Sequence, residues 1–203
     1  MMDFLNNIWV ILSTPNQMLI KILSIPMIIF LEMPISLYII TSIFNFSPTK
    51  KEKLLYIGIS SIVSLLSGFI IPSPFNIIFN YLSSFIIVHF IFKTNAIKTI
   101  IASILPSIVF SIVQSLVFNP YITLLGITYD KVLTIPIYKF PITFFMYILI
   151  FIITYIIKNK KLGLTILDEF DKKFSRVIIF YLIFGLIYII LEILITAQYL
   201  DML

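Results

Sequence analysis

The chain has no cysteine, one histidine, one tryptophan and five glycines among 203 residues. The missing cysteine excludes disulfides, thiolate metal sites and any catalysis by a cysteine nucleophile. A lone His89 leaves no pair for an H-E-x-x-H zinc site. There is no Gly-rich phosphate loop, no Walker motif and no G-x-S-x-G elbow, so neither a metal nor another cofactor is expected. Charge is scarce as well, at 11% of residues, while 61% are hydrophobic and the mean hydropathy is +1.14. Soluble domains average about half apolar and a quarter charged. A soluble fold of this length has too little interior to hide so much Ile, Leu and Phe, so the solvent for this surface is a lipid bilayer.

About 20 apolar residues cross the roughly 30 Å of hydrocarbon in a bilayer. Six runs fit: 22–44, 54–71, 75–92, 97–118, 141–157 and 177–200. The expected fold is all-α, a single membrane-embedded domain over 1–203 with about six transmembrane helices. The second and third runs are separated only by Pro72, Ser73 and Pro74. Prolines end one helix and open the next, so a tight hairpin is expected there.

The basic residues sort the loops into two sets. Lys50, Lys51, Lys53, Lys93, Lys98, Lys158, Lys160, Lys161, Lys172, Lys173 and Arg176 fall on one side, and Lys21, Lys131 and Lys139 on the other. Loop Lys and Arg stay in the cytoplasm. This eleven-to-three asymmetry places the N-terminus outside, three basic loops inside and residue 203 outside the cell membrane. The net charge of +5 is therefore a topology signal and no nucleic-acid partner is expected.

The first dozen residues lack the basic start and small-residue cleavage site of a signal peptide. Phe4, Leu5, Ile8, Trp9 and Leu12 recur at helical spacing opposite Asp3, Asn6 and Asn7, the pattern of a helix lying in the interface. Thr14 is the expected N-cap and Pro15 the expected first residue of the next helix. Residues 119–140 form the longest outside connection, apolar enough to lie on the membrane surface or over the bundle mouth.

Glu32 and Pro34 interrupt the first run near its middle. A carboxylate in hydrocarbon costs a few kcal/mol or more, and such groups face the protein interior or a wet cavity. Pro34 releases the carbonyl of Phe30, and Pro26 that of Ile22. Glu192 in the last run, with Thr196 and Gln198 near it, and Gln114 in the fourth, beside Ser111 and Ser115, are the other polar groups within spans. Glu32, Pro34, Gln114 and Glu192 are thus candidates for one outward-opening ligand pocket or switch under 119–140; their alternative use is hydrogen bonding between helices. His89, among Ile87, Val88, Phe90 and Ile91, reads as a helix-packing residue rather than a phosphoacceptor. Asp168, Glu169, Phe170 and Asp171 lie in an amphipathic inner segment that reads as a surface helix or a coupling element.

The stretches "LEMPISLYIITSIF", "IIPSPFNIIFNYLS", "HFIFKTNAIKTIIASILPSIVF", "NPYITLLGIT" and "ILDEFDKK" together resemble the N-terminal membrane sensor region of Agr-type, peptide-sensing histidine kinases of Gram-positive bacteria, whose kinase part is of the GHKL type. The resemblance implies a receptor in a two-component, quorum-sensing system. It also implies an extracellular peptide or small amphipathic ligand and a homodimer. A phosphoacceptor helix and ATP-binding domain follow the sensor in that family. Their motifs are absent from these 203 residues, so no kinase activity is expected of this chain. The competing expectation is the substrate-binding membrane subunit of a transporter, because midplane carboxylates and broken helices suit transporters as well.

Overall fold

In hydrocarbon each backbone N–H and C=O must find its partner within the protein, and a helix does this locally. The computed structural model describes residues 2–44, 46–72, 75–94 and 96–160, and all regular structure among them is helical. In chain order the helices are α1 (Met2–Ser13), α2 (Gln17–Ile43), α3 (Lys50–Ile70), α4 (Phe75–Phe92), α5 (Ala96–Leu125), α6 (Tyr129–Thr134) and α7 (Pro136–Asn159). Five of these, α2, α3, α4, α5 and α7, are long and apolar enough to cross a membrane. The protein is a multi-pass helical bundle. The sixth expected span, 177–200, lies outside the described residues, as do Glu192 and the inner segment with Asp168, Glu169, Phe170 and Asp171.

Helix ends follow local chemistry. The side chain of Asn16, not Thr14, caps α2 by accepting the Leu19 N–H at 2.9 Å, so α2 opens at Gln17 with Pro15 outside it. A capping box closes the start of α3. Thr49 accepts from the Glu52 N–H at 3.3 Å, and Glu52 accepts from the Thr49 N–H at 2.8 Å. Gly126, at φ 60°, ends α5, and the Ile127 N–H reaches back to the Ile122 carbonyl at 3.2 Å. The hairpin expected at Pro72 is present, since α3 ends at Ile70 and α4 begins at Phe75.

The connection expected over 119–140 is mostly helix. Residues through Leu125 extend α5, Tyr129–Thr134 form α6, and Pro136 opens α7. Two prolines in this stretch have helical uses. Pro120 lies within α5, and Pro136 takes the first position of α7, where no intrahelical N–H is needed. With 30 residues α5 is about 45 Å long, longer than the hydrocarbon, so its last turns and α6 form a cap at that end of the bundle. The Asn16 N–H donates to the Thr134 carbonyl at 3.1 Å, joining the start of α2 to this cap. The helix α1 lies against α7, with Ile8, Trp9, Val10 and Ile11 exposed, as an interfacial helix requires.

The central element is α2, which touches α3, α5 and α7. Its two faces meet different surroundings. Toward α5, α6 and α7 a dry core gathers Ile35 and Ile39 with Val113, Phe118, Val132, Met146 and Ile150. Toward α3, α4 and α5 a second core holds Leu37, Ile40 and Phe44 with Tyr56, Ile87, Val88 and Ala102. The second core closes the end near residues 44–49, where Tyr56 stacks on Phe92 at 5.6 Å and Phe44 on Phe46 at 5.5 Å.

Candidate functional site: a polar cavity around Glu32

The middle of α2 is not an ordinary α-helix. Ile28–Glu32 form a π-helical turn, and the Met33 N–H bonds to the Ile28 carbonyl five residues back. Pro34 supplies the reason. It has no N–H for the Phe30 carbonyl, and its ring would collide with that carbonyl in a regular turn. The wider turn relieves the collision, and such turns mark functional sites in many helices. Its last residue is Glu32.

Glu32 lines a cavity of about 280 Å³ between α2, α3, α4 and α5. Six of the residues that line it with Glu32 are apolar, Met33, Val63, Ile77, Ile87, Pro106 and Phe110, and the other ten are polar. Seven serines line it, namely Ser36, Ser60, Ser64, Ser84, Ser103, Ser107 and Ser111, together with Asn80, Tyr56 and Tyr81. Tyr56 and Ile87 belong both to the cavity wall and to the second core, so that core is the cavity floor. At the other extreme the wall reaches Ile77, in the first turn of α4.

The carboxylate is held from the dry side. The Tyr147 hydroxyl, on α7, donates to Glu32 Oε2 at 3.1 Å, and Tyr147 itself packs edge-on to Phe110 at 5.8 Å. Tyr147 is buried within the dry core. A rigid donor therefore fixes one carboxylate oxygen and leaves Oε1 without a hydrogen bond to any described residue. A second polar tie joins the α3–α4 hairpin, where the Ser67 hydroxyl donates to Asn80 Oδ1 at 2.7 Å. Among the described residues no three His, Cys, Asp or Glu side chains gather into a metal-binding group. A carboxylate, hydroxyls and one amide form a set suited to binding and orienting a polar ligand.

The sequence-derived candidates separate. Glu32 and, beside Gln114, Ser111 reach the cavity. Gln114 does not line it; its Nε2 donates to the Tyr129 hydroxyl at 3.2 Å and ties α5 to α6. Pro34 shapes the turn that carries Glu32 without lining the cavity. No residue of 119–140 lines it, so the cavity does not lie directly beneath that segment. His89 packs between helices, stacked on Phe85 at 6.2 Å with Nδ1 3.4 Å from Thr99 Oγ1. The other six serines and Asn80 are not singled out in the sequence reading, yet their signal is present. Ser103, Ser107 and Ser111 recur every four residues, as do Asn80 and Ser84, and Ser60 and Ser64. That period lays a polar stripe along one face of an otherwise apolar helix.

No family model, curated protein or solved structure matches this chain.

Proposed function

We propose that the chain is a membrane receptor, the sensor region of a histidine-kinase-type signalling protein of the cell membrane, and that it detects an extracellular peptide or small amphipathic ligand. The observation that carries this reading is Glu32, set on a π-turn and facing a serine-lined cavity that borders a packed core at Tyr56 and Ile87. A pocket backed by a packed core suits a ligand that is read rather than passed. The π-turn supplies an element with two possible packings, and a ligand that prefers one shifts the balance. The chain itself neither binds ATP nor transfers phosphate in this reading.

The test is recovery of the tagged chain from the membranes that make it. Co-purification of a histidine kinase or its response regulator supports the receptor. Co-purification of an ATP-hydrolysing subunit overturns it in favour of a transporter's substrate-binding subunit, a reading that the break in α2 at midspan also favours. Topology gives an independent check, because the chain has no cysteine of its own. An impermeant thiol reagent on intact cells should label Asp130→Cys and leave Ser47→Cys untouched; the reverse pattern would invert the orientation and put the cavity floor outside.

A further inference from the structure

The composition of the cavity wall narrows the ligand. It offers a carboxylate, hydroxyls and an amide, and among the described residues it includes no Lys, Arg or His. Glu32 thus has a fixed hydrogen-bond donor in Tyr147 but no cationic partner there. A buried carboxylate without a counter-charge is costly, and one opposite charge with several hydrogen bonds offsets that cost. Ser36 adds a second polar group: it is 6% exposed and lines the cavity.

Size argues against a bare metal ion. A volume of about 280 Å³ is far more than one desolvated ion fills. It is also at the lower edge of small-ligand pockets, which run from about 300 Å³. That space takes a short organic group, not a whole peptide.

We propose that the cavity binds a primary ammonium group on a short aliphatic body, with the ammonium paired to Glu32 and hydrogen-bonded by the serine hydroxyls. A free small amine and a lysine side chain presented by a peptide share this chemistry. The proposal rests on the receptor reading above and specifies the head group that the receptor recognises.

The test uses the full chain in lipid nanodiscs with Ser107→Cys, a half-buried wall position in a cysteine-free background. Its modification rates by methanethiosulfonate-ethylammonium and by methanethiosulfonate-ethylsulfonate are measured, each divided by the rate with a free small thiol. The cationic reagent should be favoured by about tenfold or more, as a cleft of one charge sign concentrates its counter-ion. Adding Glu32→Gln should collapse that ratio toward one. Butylammonium should slow the modification while butanol and butyrate do not. Protection by Gly-Lys-Gly but not by Gly-Gln-Gly would identify the peptide source, and protection by butylammonium alone the free amine. Equal normalised rates, or a ratio unchanged by Glu32→Gln, would overturn the ammonium proposal and leave a receptor cavity of other selectivity. A thiol that reacts with neither reagent in nanodiscs, yet reacts in SDS, would mean that the cavity is closed to solutes, and the proposal and the receptor reading would fall together.

Discussion

The two faces of α2 differ more from each other than α2 differs from its neighbours. On one face Ile35 and Ile39 pack into a dry core against α5, α6 and α7. On the other, one turn away, Glu32 and Ser36 border a cavity with six further serines. In lipid, apolar burial supplies little drive for helices to associate, and close packing supplies more. The dry half therefore joins α2 to α5, α6 and α7, and the polar half joins it to α3, α4 and α5 around a cavity. Tyr147 joins the two, buried in the first and bonded to Glu32 of the second.

The largest contrast between the halves should appear in stability. Ile39 is fully buried. Ile39→Ala leaves a cavity in the dry core and should cost about 2–5 kcal/mol, seen as a lower midpoint in thermal unfolding of the purified protein. Ser107→Ala on the cavity wall should change stability by no more than about 0.5 kcal/mol. Similar losses from both would mean that the cavity wall is as tightly packed as the core.

The link between the halves comes next. Tyr147→Phe removes the donor to Glu32 Oε2 and should cost about 0.5–1.5 kcal/mol. Glu32→Gln keeps the shape and an acceptor oxygen, so the fold should persist. Response in a signalling-competent context should nonetheless fall strongly, measured as dose–response curves at matched expression. A Glu32→Gln response equal to wild type, with Glu32→Ala misfolded, would reduce Glu32 to an interhelical hydrogen bond.

Much of this frame is legible in the sequence, and the reasons are physical. Hydrocarbon leaves the backbone few options, so long apolar runs become helices, and Glu32 stands out because charge is rare in them. Proline was the weak signal. It marks a loop in water, but Pro120 sits inside α5 and Pro136 opens α7. The partners of Glu32 were hidden for another reason. Tyr147 lies 115 residues away, and no periodicity within one helix reveals which face of another will meet it. The serine stripes were visible at a four-residue spacing. That they converge on one cavity depends on the rotations of four helices about their axes, which packing alone sets.

Pro34 tests whether the geometry of the polar half is imposed locally. Pro34→Ala restores an N–H that can bond to the Phe30 carbonyl, and the π-turn loses its cause. Reverting to a regular helix removes one residue from the wide turn, and the segments before and after it rotate relative to each other by about 100°. The segment of α2 before the turn would then swing round, while Glu32, four residues before Ser36 in regular helix, keeps the cavity face and Ile39 stays in the dry core. Stability should rise by up to about 1 kcal/mol, and the response should lock in one state. The Glu32-dependent charge selectivity at Ser107→Cys should persist, because Glu32 keeps its register with Ser36. Loss of that selectivity would show that the wide turn itself holds Glu32 against the cavity.

The smallest effect concerns a serine that does not share in the cavity. Ser61 neighbours Ser60 on α3 but turns away from the cavity wall, and its Oγ is buried without a hydrogen-bond partner among the described residues. A buried unpaired hydroxyl carries its desolvation cost with no return, so removing it is neutral or favourable. Ser61→Ala should leave stability unchanged or raise it by up to about 1 kcal/mol, and it should not alter Glu32-dependent selectivity. Ser36→Ala is the matched control: its hydroxyl borders the cavity, so stability should also hold while amine protection weakens. If Ser61→Ala destabilised the bundle, its hydroxyl would have a partner beyond the described residues. If the two substitutions had the same effect on amine protection, the serines would be a property of the helices rather than of the cavity.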